Sequence, residues 1–171
     1  MRDCTPILGI AAYGTVDEAN AAIGMARLSL GPDDTLVESM LARIQNDLFD
    51  LGADLCLPDR GEPLPYTPLR ITEAQVVRLE AEIDQMNAEL RPLTSFVLPG
   101  GSAAAAALHL ARTVTRRAER HMVELVAHEN EPVNPAGLKY VNRLSDLLFV
   151  ASRYVNDKGQ RDVLWQPGAN G

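Results

Sequence analysis

Arg112, Arg116, Arg117, Glu119 and Arg120 crowd into nine residues of a chain whose formal net charge is −7. Arg112, Arg116 and Glu119 are spaced four and three apart, so on a helix they share one face. Two arginines one turn apart repel each other unless something anionic answers them. The guanidinium fork also matches phosphate oxygens. Two readings follow from the spacing. One is a polyphosphate site; the other is a solvated face on which Glu119 and Glu124 neutralise the arginines. Spacing alone leaves both open.

Three other groups carry chemistry-bearing types. Asp17 and Glu18 stand near a predicted helix start, where carboxylates favour the helix dipole. Asn142 and Asp146 are one turn apart, with Arg143 between them, and read equally well as surface polar residues. The segment Ser95-Phe96-Val97-Leu98-Pro99-Gly100-Gly101 mixes loop formers with apolar side chains. It is either a helix connection whose Phe96 plugs the core or an apolar wall for a flat ligand. Gly100-Gly101 before a helix start also suits an anion, though two glycines are a weak signal.

The composition limits the function classes. A chain of 171 residues with 46% apolar content can build one core without staples; a single domain over 1–171 is expected. Its acidity gives no global reason to bind nucleic acid or an anionic membrane. Cys4 and Cys56 are far apart and form neither a CxxC pair nor a disulfide framework. His109, His121 and His128 lack HExxH spacing, and no Glu-x-x-His pair occurs, so no metal site is expected. No apolar run of about 18 residues could span a membrane, and no signal peptide is read at the start. A cytoplasmic location is the expectation.

Five helices must position these residues. Thr15 and Glu18 have capping-box spacing before Val16, Ile23 and Leu30, and Gly31-Pro32 ends that helix. The second is predicted over 35–55, with Val37, Leu41, Ile44, Leu48, Leu51 and Leu55 on one face. Prolines at 58, 63, 65 and 68 mark a loop. Thr72 and Gln75 form a second capping box before Val76, Leu79, Ile83, Met86 and Leu90, and Arg91-Pro92 ends the third helix. Ser102 is the predicted N-cap of the fourth, which runs through an alanine stretch to about Ala127. Asn134-Pro135 opens the fifth, predicted to about Asn156, and a polar tail follows.

These pieces, in this order, resemble the PduO-type ATP:cob(I)alamin adenosyltransferases. The likeness rests on Ala12-Tyr13-Gly14-Thr15-Val16-Asp17-Glu18 with Asn20 and Ile23-Gly24, and on the run Ile44 to Leu55. It continues through Ser95 to Ser102, Ala111-Arg112-Thr113-Val114 with Arg116 to Arg120, Tyr140 to Phe149, and the tail Asp162-Val163-Leu164-Trp165 with Pro167-Gly168. It covers nearly the whole chain from Ala12 onward.

The resemblance implies an all-α five-helix bundle with ferritin-like up-down packing, assembled as a homotrimer with active sites between subunits. It implies ATP with Mg2+ as one substrate and cobalamin as the other. Cobalt(I) attacks the 5′ carbon of ATP, triphosphate leaves and adenosylcobalamin forms. By matched motifs, Arg116 is expected on the triphosphate, and Arg112 in an ion pair with Asp17 of the next subunit. Glu119 and Asn142 are expected to line the nucleotide site. Phe96 is expected beside the corrin ring, blocking the lower face of cobalt. A corrinoid reductase or a B12-dependent acceptor enzyme is the protein partner such chemistry implies.

Family members commonly open with a Thr-x-x-Gly-Asp-x-Gly phosphate segment ahead of the Tyr-Gly motif. Arg2-Asp3-Cys4-Thr5-Pro6-Ile7 does not match it. The alternative expectation is therefore a corrinoid-binding or regulatory homologue with weakened catalysis.

Overall fold

The computed structural model describes residues 5–127 and 132–169; Cys4, His128 and the start of the non-matching segment lie outside them. Five helices run in chain order: α1 Thr5–Arg27, α2 Thr35–Cys56, α3 Glu73–Asn87, α4 Ala103–Val126 and α5 Pro135–Tyr154. The helix pairs α1–α2, α1–α4, α4–α5 and α3–α5 pack side by side. Cross-helix bonds give the directions. Asn20 meets Gln45 and Arg27 meets Glu38, so α1 and α2 are antiparallel. Arg43–Glu82 and Asp47–Arg78 make α2 and α3 antiparallel. Glu73–Lys139 and Glu80–Arg143 make α3 and α5 parallel. Successive helices thus alternate up and down, as the resemblance implied.

The α2 face read from spacing lies in the core: Val37, Leu41, Ile44, Leu48, Leu51 and Leu55 are buried. Leu108, Ala111, Ala118 and Met122 of α4 and Leu144, Leu147 and Leu148 of α5 are buried with them. Each large aliphatic side chain enclosed in this way contributes about 1.5–3 kcal/mol. The helix starts at Ser102 and Asn134 are capped as predicted: Ser102 Oγ accepts from Ala105 N at 3.1 Å and Asn134 Oδ1 from Ala136 N at 3.0 Å. Gln75 Oε1 accepts from Thr72 N at 2.9 Å, as the capping-box spacing requires.

Three helices differ from expectation in their bounds. The first helix begins at Thr5, not at Thr15, and ends at Arg27. Thr15 is interior, and its Oγ1 donates to Ala11 O at 2.7 Å, a return to the preceding turn that mimics a cap in sequence only. Pro6 lies in the first turn, where no backbone donor is needed. The third helix ends at Asn87, before Leu90, which still packs on the core. The fifth ends at Tyr154, slightly short of Asn156.

The polar tail is not free. Leu98 N donates to Val163 O at 2.8 Å and Trp165 N to Phe96 O at 2.7 Å, so 163–165 docks antiparallel on 96–98 around a Val97–Leu164 bridge. Ser95 Oγ adds a bond to Trp165 O at 2.8 Å. A turn after α5 supports this strap. Asp162, whose side chain is enclosed, accepts from Arg153 Nε at 2.8 Å and Asn156 Nδ2 at 3.2 Å, and Arg153 Nη2 reaches Arg91 O at 2.9 Å.

Candidate functional site

The α4 face that carries His109, Arg112, Arg116 and Glu119 runs beside antiparallel α5. Glu119 Oε1 accepts from Asn142 Nδ2 at 2.7 Å at one end, and His109 meets Ser152 and Phe149 at the other. Arg112 falls between them. Two residues singled out in sequence, Glu119 and Asn142, are thus joined directly. Asn142 and Asp146 part company despite their spacing. Asp146 pairs with Arg143 on the α3 side, while Asn142 turns to α4.

Arg112 and Phe96 share a cavity of roughly 640 Å3, walled by Leu93, Val97, Phe149 and Trp165. Phe96 is 76% exposed, so it is not a core plug. Its ring leans on Trp165 at a centroid distance of 5.9 Å and 58°. That tilted arrangement suits the ring quadrupoles. The strap is what brings Trp165 there. Phe149 and Trp165 were not assigned to the site from sequence. The nearby matched stretches contained them, but nothing in the pattern distinguished a wall from core or tail.

Arg112 is half-buried, and its Nε is enclosed with no hydrogen-bond partner among the described residues. Burial, and then Arg116, push its pKa down; a guanidinium remains charged regardless. A buried charge of this kind requires an anion or a polar partner. Arg116 is exposed one turn on, while Arg117 is committed to Glu18 of α1. The cluster therefore divides: Arg117 is a structural ion pair, Arg120 Nη1 donates to Arg116 O at 3.3 Å, and Arg112 and Arg116 are the two whose side chains make no hydrogen bond or ion pair among the described residues. Asp17 is exposed on α1 and mid-helix, so a helix-dipole account does not apply to it.

A neighbouring cavity of roughly 660 Å3 shares Leu93 and Phe149. Its cations are already engaged, Arg143 with Glu80 and Asp146, and Arg153 with Asp162. It offers no free cation for phosphate. The glycine pair offers no anion nest either. Ser102 N donates to Asn156 Oδ1 at 3.1 Å, and Gly101, at φ +95°, lies so close to Asn156 that a Cβ would stand 2.6 Å from that oxygen.

A five-helix bundle with an aromatic cavity and an arginine at its rim defines a class suited to a flat apolar ligand next to an anionic one. The profile of one family, "Cobalamin adenosyltransferase", matches residues 8–155, and the chain belongs to that family. The corrinoid adenosyltransferase of Mycobacterium tuberculosis is 53% identical over 161 residues, covering 94% of this chain and 81% of that protein. A variant PduO-type adenosyltransferase of Lactobacillus reuteri complexed with ATP superposes with a TM-score of 0.83 at 38% identity, covering 93% of this chain and 87% of that one. A second variant, complexed with cobalamin and ATP, gives 0.81 at 37%, covering 93% and 86%.

Proposed function

We propose that the chain, acting as one domain, transfers the 5′-deoxyadenosyl group of ATP to cob(I)alamin. A cobalt–carbon bond forms, the bond from the 5′ carbon to oxygen breaks, and its electron pair leaves with triphosphate. The observation that carries the reading is the meeting of Phe96 and Arg112 at one cavity, with exposed Arg116, which has no ion pair among the described residues, one turn further along α4. The cobalt supplies the nucleophile, so the protein's work is positioning and charge neutralisation.

Each side chain then has a task. Phe96, with Trp165 and Phe149, presents an apolar wall to the corrin and keeps a lower ligand off cobalt. Arg116 takes triphosphate oxygens. Glu119, held by Asn142, lines the nucleotide side. Arg112 pairs with Asp17 of a neighbouring copy, which supplies the counter-charge its burial requires. Mg2+ enters with the phosphates of ATP, which supply most of its oxygen ligands.

The assembly is a homotrimer with sites between subunits. Ile10, Tyr13 and Asp17 share an exposed α1 face, and Leu110 stands exposed on adjoining α4. No described helix is long and apolar enough to cross a membrane, and the cytoplasm, where a corrinoid reductase or a B12-dependent acceptor enzyme would be the partner, is the proposed location. The test is a reconstituted assay with ATP, Mg2+ and chemically reduced cobalamin. Adenosylcobalamin is the expected product; its absence overturns the reading.

A further inference from the structure

Two further cavities adjoin the one that holds Phe96 and Arg112, and their charges differ. The cavity of roughly 660 Å3 shares Leu93 and Phe149 with it and carries Glu80, Asp84 and Asp146. Another, of roughly 330 Å3, shares Leu93 and Thr94 with it and is lined by Arg91 and by the turn at Gly159 and Gln160. Arg153 lines both adjoining cavities but is engaged with Asp162 and with Arg91 O. Arg143 is engaged with Glu80 and Asp146. Arg91 is exposed, and its guanidinium makes no hydrogen bond or ion pair among the described residues. With the Arg153–Asp162 pair neutral, Arg91 leaves the smaller cavity net positive. The carboxylates of Glu80, Asp84 and Asp146 against Arg143 leave the larger one net negative.

The positive cavity has a fixed frame. Arg153, its side chain 8% exposed, holds the Arg91 carbonyl at 2.9 Å. Gly159, at φ +80°, lies so close to that guanidinium that a Cβ would stand 3.1 Å from Arg153 Nη2. The main chain at Arg91 is therefore tied down while its own side chain stays uncommitted. Thr94 adds a hydroxyl that has no hydrogen-bond partner among the described residues. The substrate carries the matching group. The corrin of cobalamin is edged with neutral amides, and its anion is the phosphodiester of the nucleotide tail, whose base is the lower ligand of cobalt. A wall at Phe96 that keeps this base off cobalt obliges the tail to lie elsewhere. The acidic cavity repels a phosphate, whereas the positive one opens at Thr94, beside the same wall.

We propose that the cavity lined by Arg91 and Gln160 receives the phosphodiester of the displaced nucleotide tail, with the Arg91 guanidinium and the Thr94 hydroxyl as its donors. The inference rests on the adenosyl-transfer reading and on the role given there to Phe96. Cobinamide, the corrinoid that lacks this phosphate and its base, isolates the contact. Arg91→Ala keeps the carbonyl that Arg153 holds, so the turn should stay intact. The variant should raise the KM for cobalamin about threefold to tenfold, as expected for a charge-assisted bond in a solvent-open cavity, and leave that for cobinamide within about twofold. Arg91→Lys, which keeps the charge, should recover part of the loss. The ratio of the two KM values should change with salt in the wild type and not in Arg91→Ala. Equal rises for both corrinoids, or no rise for either, overturn the proposal. Spectroscopic titration with the cobalt(II) forms, in the presence of ATP, makes the same comparison without turnover. A wild type that yields no adenosylcobalamin yet shows the Arg91-dependent difference in binding counts against the adenosyl-transfer reading and supports the phosphate site.

Discussion

Arg112 and Arg116 stand one turn apart on α4, but burial separates their roles. Arg112 is half-enclosed beside Phe96, so its charge acts in a low dielectric, while Arg116 is open to solvent and to a polyanion. Replacing Arg116 with Ala should raise the KM for ATP by about tenfold to a hundredfold, since a hydrogen bond to a charged group contributes about 1.5–3 kcal/mol. Its unfolding midpoint should stay near that of wild type, because exposed substitutions usually change stability by less than about 0.5 kcal/mol. Steady-state kinetics and a thermal melt check both halves. An unchanged KM removes Arg116 from the phosphates. If Phe96 takes the corrin-facing role proposed for it, Phe96→Ala should leave ATP binding intact and slow adenosylation. The residue types were legible in sequence, and so was the shared face. What could not be read was which arginine the chain itself consumes: Arg117 is taken by Glu18 across the α1–α4 contact.

Elements are held by buried polar knots that periodicity does not reveal. Asp47, in the middle of α2 and only 6% exposed, accepts from Gln75 at 3.0 Å, from Arg78, and from the Tyr140 hydroxyl at 2.9 Å. It ties α2, α3 and α5 together. Burial, and then Asp47, raise the Tyr140 pKa well above the usual tyrosine value. A raised pKa means that the folded state favours the neutral phenol. The associated stability is present below about pH 10, the unfolded value, and is lost as pH rises through the folded value. Tyr140→Phe should cost about 1.5–3 kcal/mol at neutral pH and should remove part of the alkaline loss, measured by denaturant unfolding across pH. Gly101→Ala should also destabilise, because it combines a left-handed φ of +95° with a clash against the Asn156 amide that caps α4 and binds Asp162. Thr72, Ser102 and Asn134 announced their helices because capping chemistry is local. Thr15 misled because the same spacing occurs inside a helix. The Val97–Leu164 bridge was illegible because it joins two short segments 67 residues apart, with no turn signal between them.

For the molecule as a whole, the proposed trimer puts α1 and α4 at the contact between copies. Ile10 is 56% exposed and shares its α1 face with Asp17. A carboxylate there adds like charge beside Asp17 and removes apolar area, so Ile10→Glu should shift the protein toward monomers. Light scattering would show the smaller mass, and activity should fall with it because each site needs two copies. Monomers with full activity would refute the shared site. The strap also fixes an order of events during synthesis. Phe96 leaves the ribosome 69 residues before Trp165, and domains fold progressively as chain emerges. All five helices can be complete while the cavity still lacks its Trp165 wall. A nascent chain thus has no finished cavity until Trp165 is made, after all five helices, so the wall beside Phe96 is added to a bundle already formed.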